Sequence, residues 1–365
     1  MASRIKPDDL VIHFLNVGFG DSIVLEFPAD NSGNREYGIV DCFKGNKTMD
    51  YLGKLLNRPV GSTAKPKLKF ICATHPHYDH IKGINEVMNN TTCEEFWDSG
   101  FRHNSVTYGK ILNTIHTNNI KMLRVSSGME WYFGRVRVMA LSPSVSLRNR
   151  YATYGVDMNN ASIVLRIEHN KENSILMQSR EYTGDVSIEA ERVAGRSVVI
   201  LAGDAEFDSW SHICQEYPKV ERASAHKPLV TKMINYLSGS LVKVAHHGSM
   251  HSTPLDVYEK MSPSKAIIST RQQQKTKQLN RTTITELSRD LFPHESTVIS
   301  LEENDIRVLT TDGAYESQLL ENGNQKDPAN HHQGSIVAVI PPGGNIRWKK
   351  LKDTSNQMAV PPLVV

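Results

Sequence analysis

A group of metal-binding residue types lies in the segment THPHYDH at 74–80, which holds three histidines and one aspartate. A mostly apolar segment typical of a buried strand, Leu68–Ala73, comes directly before it. In extended backbone, residues two apart project to the same side, so the side chains of His75, His77 and Asp79 can converge. Imidazole nitrogen and carboxylate oxygen together suit zinc, manganese or iron. The spacing therefore predicts a site for a divalent metal where a strand ends.

Other segments of the chain, together with this one, resemble the metallo-β-lactamase fold. The HxHxDH pattern after a strand is the signature of that fold. LAGD at 201–204 resembles its later strand ending in an aspartate, and VKVAHHGS at 242–249 resembles its last ligand strand. NVGFGDS at 16–22, NNASIVL at 159–165 and the Ser252-Thr253 pair narrow the resemblance to the hydrolase domain of ComEC-type competence proteins and its free-standing relatives. The resemblance covers roughly residues 10–315, and it implies an α/β protein, an αββα four-layer sandwich.

The same resemblance implies a site for two divalent ions, zinc or manganese. The expected ligands are His75 and His77 for the first ion, Asp79 and His80 for the second, and Asp204 as a bridge between the two. One histidine of the HHGS segment is expected to complete the second site. We prefer His246 because it comes first after the strand, with His247 nearby as a proton donor or a phosphate contact. The reverse assignment of this pair stays open.

The chain departs from the wider family at the first metal. That family has another histidine between the first motif and the bridging aspartate, but no histidine lies between Thr117 and Glu168 in this sequence. Asn159 and Asn160 stand at about that place, and an amide oxygen is a weaker ligand than imidazole. Occupancy by two ions is therefore a hypothesis, which a content of a single ion per chain would contradict.

Several polar residues near the expected site have both a structural and a functional interpretation. Asn16 and Asp21 lie in a glycine-rich turn, where Asn and Asp are common as turn formers, and Asp41 lies near the end of a predicted strand. The resemblance favours a role for all three in orienting metal-bound histidines. The residues considered for the substrate cleft are Ser99 and His103, which follow a predicted strand, and Ser249, with a purely structural loop as the alternative.

Short strands and helices alternate along the chain. Strands are expected at 11–17, 22–27, 37–42, 68–73, 94–99, 120–125, 131–141, 162–167, 198–201, 241–245, 266–269, 298–301 and 306–310, and helices at 48–56, 81–88, 108–117, 209–216, 255–261 and 284–291. This order favours two packed sheets with helices outside. Residues 1–320 are interpreted as one hydrolase domain with insertions near 171–195 and 217–238, followed by a polar loop and C-terminal extension at 321–365.

Composition excludes some classes of protein. The 365 residues include 42 Lys and Arg against 39 Asp and Glu, a formal net charge of +3, which excludes a strongly basic nucleic-acid coat. The 4 cysteines show no CxxC spacing, so no disulfide framework or zinc ribbon is indicated. The longer apolar runs, 198–202 and 336–340, are too short to span a bilayer, and the start of the chain lacks the apolar core of a signal peptide. A cytoplasmic location without a membrane partner is the expectation.

The resemblance also implies a reaction. Two ions would acidify a water molecule between them, with Asp204 holding that water, Asp79 orienting it and His247 protonating the leaving oxygen. The ComEC-type branch favours a nuclease acting on DNA or RNA, with a role in nucleic-acid defence. The alternatives are a hydrolase of small phosphodiester signals such as cyclic nucleotides, a hydrolase of lactones, thioesters or β-lactams, and a non-catalytic binding module, which the intact ligand motifs disfavour. A protein partner is possible, but the sequence does not indicate which protein it would be.

Overall fold

Two β-sheets form the centre of the structure, a computed structural model that describes residues 4–59, 62–154, 157–170, 197–217, 220–224, 227–234, 237–270, 292–313, 333–353, 358–362 and 365. The strands in chain order are β1 (Leu10–Phe14), β2 (Ser22–Glu26), β3 (Tyr37–Cys42), β4 (Lys67–Ala73), β5 (Thr92–Asp98), β6 (Lys121–Arg124), β7 (Glu130–Phe133), β8 (Val136–Ser142), β9 (Val164–His169), β10 (Ser197–Leu201), β11 (Val220–Ser224), β12 (Lys227–Ile234), β13 (Leu241–Lys243), β14 (Lys265–Ile268), β15 (Arg307–Thr310), β16 (Ile336–Ile340) and β17 (Arg347–Lys350).

The strands divide between the two sheets roughly by halves of the chain. The first sheet has the order β17-β16-β1-β2-β3-β4-β5-β6, and the second has the order β15-β14-β13-β10-β9-β8-β7. β11 and β12 pair with each other in a separate antiparallel ladder. Within the sheets, β3 runs parallel to β4 and β10 runs parallel to β13, so the carboxyl ends of each pair lie at one edge.

The helices flank these sheets. In chain order they are α1 (Gly45–Leu55), α2 (Tyr78–Ile81), α3 (Ile84–Asn90), α4 (Val106–Thr117), α5 (Val145–Tyr154), α6 (Phe207–Glu216), α7 (Leu255–Met261) and α8 (Glu295–Glu303). Two single 3₁₀ turns, Met158–Ala161 and Ala245–Gly248, come just before β9 and just after β13. Within the described part of the chain, none of the helices has the length and apolar character needed to cross a bilayer.

Three apolar clusters separate four layers. The central cluster joins the facing sides of the two sheets. A second cluster packs the other side of the first sheet against α1, α3 and α4, and a third packs the other side of the second sheet against α6, α7 and α8. The last four residues of β4, FICA, are continuously apolar because both faces of the strand are covered there: Phe70 and Cys72 enter the central cluster, whereas Ile71 and Ala73 enter the helix-facing one. The predicted αββα sandwich is confirmed.

Some predicted elements differ from the observed ones. Val298–Leu301 was expected as a strand but lies inside α8, where Val298 and Leu301 share the buried face. A short apolar run does not distinguish a strand from one helical face. The expected insertion at 217–238 contains the β11–β12 ladder. β16 and β17, expected within a C-terminal extension, are integral to the first sheet, where β16 pairs with β1. The expected insertion at 171–195 and helix at 284–291 lie outside the described residues.

Candidate metal centre

The candidate site lies where strands of both sheets end. His75 follows β4, Asp204 follows β10, and the 3₁₀ turn with His246 and His247 follows β13. Two backbone hydrogen bonds join these strand ends. The amide of Ile163 donates to the Thr74 carbonyl at 2.8 Å, and the amide of His246 donates to the Gly203 carbonyl at 3.0 Å. The sandwich therefore brings together segments that are far apart in the sequence.

Four of the predicted residues form one compact group. The ligand atoms of Asp79, His80, Asp204 and His247 all lie within 4.8 Å of one another. The Nε2 atom of His80 is 3.1 Å from Oδ1 of Asp204, and Nε2 of His247 is 3.3 Å from Oδ2 of Asp79. Three members are buried and Asp79 is half-buried. Of the histidine pair, this group contains His247 rather than His246, which the sequence favoured.

Two of the remaining predicted histidines, His75 and His246, lie near the other oxygen of Asp204. Nε2 of His75 is 3.7 Å from Oδ2 of Asp204, and Nε2 of His246 is 3.8 Å from the same atom. The His77 ring lies edge-on to the His75 ring, with centroids 4.6 Å apart. Asp204 thus lies between two sets of imidazoles.

Asp41 orients two of the histidines. Its Oδ1 accepts from the amide of Thr74 at 2.8 Å, and its Oδ2 accepts from the Thr74 hydroxyl and from Nδ1 of His80, each at 2.7 Å. The single Thr74 hydroxyl proton is therefore used, so in the 3.2 Å contact between Thr74 Oγ1 and His75 Nδ1 the imidazole is the donor. Both Nδ1 atoms carry protons, which leaves the two Nε2 atoms available to a metal.

His247 is held in the same tautomer by different means. Its Nδ1 donates to the carbonyl of Ser269 at 2.9 Å, so Nε2 presents a lone pair to the pocket. Nε2 of His75 is buried and makes no hydrogen bond among the described residues, where the equally buried Nε2 of His80 and Oδ1 of Asp204 have no partner beyond their 3.1 Å contact with each other. Acceptor atoms that face one another in a buried pocket are satisfied by a cation. The residues present therefore fit a divalent metal.

The pKa values of His75, His80 and Asp204 are all shifted by burial and by their mutual proximity. Burial opposes the charged forms of both His80 and Asp204, but their mutual attraction raises the pKa of His80 well above its usual value and lowers the pKa of Asp204 well below its own. Burial and the nearby His80 lower the pKa of His75 well below its usual value. His75 is therefore neutral, which is the form that binds metals.

The backbone is strained at this site. Asp41, His246 and His247 have φ values of 56°, 47° and 50°, in the left-handed region that non-glycine residues rarely adopt. Such conformations persist where the surrounding structure enforces them, and they concentrate at functional sites. All three of these residues have side chains directed toward the acidic and imidazole groups described above.

The weaker candidates lie in varied places. Asp21 contacts Lys243 at 2.8 Å, and the backbone amide of Asn16 donates to Ser335, with no contact between Asn16 and the cluster histidines among the described residues. Asn160 accepts from the amide of Ser209 with its Oδ1. Ser99 is fully buried, which disfavours contact with substrate. Ser249 is also buried, whereas the His103 ring lies 6.1 Å from that of His77.

Sequence reasoning missed four polar residues around this site. They are Thr74, Glu206, Lys243 and Ser269, which contact His75, His246, Asp21 and His247 respectively. Lys243 carried a usable signal, since a lysine inside the apolar run VKVA requires a buried partner. Ser269 acts through its backbone carbonyl, which no sequence pattern reveals.

Asp41→Asn is expected to weaken metal binding by about 10–100-fold, because an amide cannot accept all the hydrogen bonds that orient His80 and Thr74. Binding is measured by calorimetric titration of the apo protein with Mn²⁺. Asp98→Asn is the matched control: Asp98 ends the neighbouring strand β5, accepts from the Gly100 amide and has a pKa that burial raises to about 6. An equal loss of Mn²⁺ affinity in the two variants would contradict the role given to Asp41.

The comparisons with known proteins concern the fold. No family model and no curated protein matches the chain. Similar solved structures include a long form RNase Z from yeast, with 14% identity, TM-score 0.35 and coverage of 76% of this chain and 40% of that one. YhfI, a metallo-β-lactamase-fold protein from Bacillus subtilis, has 11% identity, TM-score 0.35 and coverages of 71% and 85%. Igni18, a metallo hydrolase from Ignicoccus hospitalis, has 10% identity, TM-score 0.34 and coverages of 71% and 81%.

This chain spans less than half the length of that RNase Z, at 40%, and no activity is carried over from these structures. The fold is described from the chain's own layers, two packed sheets with helices on both outer sides, which is the αββα arrangement expected from the sequence. At the edge of the sandwich lies a histidine and aspartate cluster that could bind a metal.

Proposed function

We propose that this chain is a metal-dependent phosphodiesterase that cleaves nucleic acid. The observation that carries the proposal is the buried group of Asp79, His80, Asp204 and His247, in which acceptor atoms converge on one point. Divalent ions bound there would supply an acidified water molecule and neutralise charge on a phosphoryl group. The resemblance of the surrounding motifs to ComEC-type hydrolase domains supports a phosphodiester substrate.

The chain's own residues have distinct tasks in this proposal. Asp204, only 1% exposed, holds the two sets of histidines around its two oxygens. Asp79 is the most exposed member of the compact group, with 25% of its side chain accessible, so its carboxylate is placed to orient a water molecule. His247 acts as a ligand rather than as the proton donor expected from the sequence, because its Nδ1 proton is committed to Ser269.

An exposed aromatic and cationic surface next to the cluster supports a nucleic-acid substrate. Tyr78, between His77 and Asp79 in sequence, is 57% exposed, and its ring lies edge-on to Phe43 with centroids 6.2 Å apart. The Lys82 ammonium is 5.2 Å from each of these two ring centroids. Aromatic rings stack on bases, and nearby lysines attract the phosphate backbone.

Tyr78→Ala is expected to raise the KM for a single-stranded oligonucleotide about tenfold, since one base stack contributes about 1–3 kcal/mol. The turnover number is expected to change little because the tyrosine side chain is absent from the compact group. Tyr78→Phe, which keeps the ring, is the matched control and is expected to behave like the unmodified chain. Steady-state kinetics measure both constants. A rise in KM for Tyr78→Phe as large as that for Tyr78→Ala would exclude stacking by the ring as the cause.

The proposed function is tested with purified protein and labelled substrates. Single-stranded and double-stranded DNA, RNA, cyclic dinucleotides, a lactone and a β-lactam are each assayed with Mn²⁺, Zn²⁺ and Mg²⁺, with Asp79→Ala as the blank. Cleavage of a polymer that the blank lacks supports the proposal. Turnover of cyclic dinucleotides alone would instead indicate a hydrolase of small signals, and turnover of lactones or β-lactams alone would overturn the phosphodiesterase assignment.

A further inference from the structure

The turn after β13 directs two adjacent histidines into the same pocket. In a strand, neighbouring side chains point to opposite faces. Here His246 and His247 leave the strand conformation, with φ and ψ of 47° and 49° and of 50° and 24°, and Gly248 continues with a φ of 82°. Their ring centroids lie 6.4 Å apart at an angle of 66°. The strained turn thus allows both rings to face the acidic cluster.

The two rings face different carboxylates. His247 is fully buried, and its Nε2 lies 3.3 Å from Oδ2 of Asp79, inside the compact group. Nε2 of His246 lies 3.8 Å from Oδ2 of Asp204. The same Asp204 oxygen is 3.7 Å from Nε2 of His75, a buried atom with no hydrogen bond among the described residues. His246 therefore lies on the side of Asp204 where His75 lies.

His246 also has the support that a metal-bound histidine requires. Oε1 of Glu206 accepts from its Nδ1 at 3.0 Å, which leaves Nε2 with a lone pair directed at the pocket. The ring stacks on Phe292, with centroids 5.3 Å apart and planes inclined by 30°. The carboxylate–histidine pair here matches that of Asp41 and His80, which acts on the other side of Asp204.

Asn159 acts on this histidine indirectly. Its Nδ2 donates to Oε1 of Glu206 at 2.9 Å and lies 3.5 Å from Nδ1 of His246. Asn159 and its neighbour Asn160 lie in a span from Thr117 to Glu168 that contains no histidine, at about the place where the resemblance leads one to expect a ligand. The asparagine therefore fixes Glu206, and Glu206 fixes an imidazole that reaches the same region from another strand.

We propose that His246 and His247 bind different metal ions: His247 binds with Asp79 and His80, and His246 takes the place of the missing histidine beside His75 and His77. The inference rests on the proposed function, which requires a metal centre, and it assigns one histidine of the pair to each of the two metal ions. Asn159 and Glu206 are positioning residues for His246. An adjacent pair of histidines, divided between two ions, thereby completes a site that the sequence alone leaves short of a ligand.

The experiment counts Mn²⁺ ions and detects their proximity, independently of activity. Calorimetric titration and electron paramagnetic resonance are expected to show two ions, coupled to each other, in the unmodified chain. His246→Ala and His247→Ala are each expected to retain a single uncoupled ion, and the exposed His116→Ala is the control that keeps both. Circular dichroism verifies that each variant is folded.

Glu206→Gln provides a second, milder test. This change is expected to lower the affinity for only one of the two ions, by about 10–100-fold, because it removes the carboxylate oxygen that accepts the His246 Nδ1 proton. If His246→Ala keeps two coupled ions while Asn159→Ala loses one, the inference is overturned and Asn159 is itself the ligand, but the proposed function stands. If the unmodified folded chain binds no Mn²⁺ or Zn²⁺, both the inference and the proposed function fail.

Discussion

Asp204→Asn is expected to reduce phosphodiester cleavage at least about 10³-fold while leaving the chain folded. Asp204 is buried, with Oδ1 3.1 Å from Nε2 of His80 and Oδ2 3.7 Å from Nε2 of His75. An asparagine offers one neutral oxygen and an amide group whose protons face these lone pairs, so it cannot join the two sets of imidazoles. The measurements are kcat/KM on an oligonucleotide and metal content after dialysis.

Asp208→Asn is the matched control for this change. Asp208 lies near the start of α6, is exposed, and contacts Arg150 at 3.5 Å on the surface. The same substitution there is expected to leave both activity and metal content unchanged. An Asp204→Asn protein that is folded and keeps more than about a tenth of the activity, a loss of less than about 1.4 kcal/mol in transition-state stabilisation, would contradict the central role of this carboxylate.

Lys243→Met is expected to lower the free energy of unfolding by about 3–5 kcal/mol. The Lys243 ammonium and the Asp21 carboxylate are 2.8 Å apart with side chains 0% and 1% exposed. The pair joins β13 of the second sheet to the turn between β1 and β2 of the first. Burial by itself would raise the pKa of Asp21, but Lys243 and the nearby histidines lower it, so the carboxylate is charged. Removing the lysine leaves that charge buried without its partner, which urea unfolding will detect.

A double variant separates the lost pair from the lost packing. Adding Asp21→Asn to Lys243→Met removes the uncompensated charge and is expected to restore part of the lost stability. Lys121→Met is the matched control, because Lys121 makes a 2.7 Å surface pair with Glu95 and is 66% exposed. Such pairs contribute only about 0–1 kcal/mol. If the double variant is no more stable than Lys243→Met alone, unpaired charge is not the cause of the loss.

The features best predicted from the sequence are those with local causes. The mostly apolar segment before THPHYDH predicts β4. The two-residue spacing within THPHYDH predicts that His75, His77 and Asp79 lie together at the end of that strand. The order of strands and helices along the chain was sufficient to predict two packed sheets with helices outside them. The helix around Val298 was misjudged because a short, mostly apolar run suits either kind of element, and only the buried helical face that Val298 and Leu301 share decides.

The features that escaped the sequence depend on distant contacts. Lys243 and Asp21 are 222 residues apart, and no local pattern pairs them. The difference between His246 and His247 depends on a strained turn and on Glu206 and Ser269, which contact the two rings. The sequence supplied the correct residue types for this pocket, but the two sides of Asp204 became distinguishable only when hydrogen-bond partners were known.

The pairing of β16 with β1 has a consequence for biosynthesis. Leu10 pairs with Ile340, so one edge of β1 acquires its neighbour only after about 330 further residues have been synthesised. Every residue of β1 is buried in the finished sandwich, and an apolar edge left open is a template for association with other chains. Translation products that end before residue 336 would therefore be aggregation-prone, and the nascent chain would depend on chaperones until β16 emerges and pairs with β1.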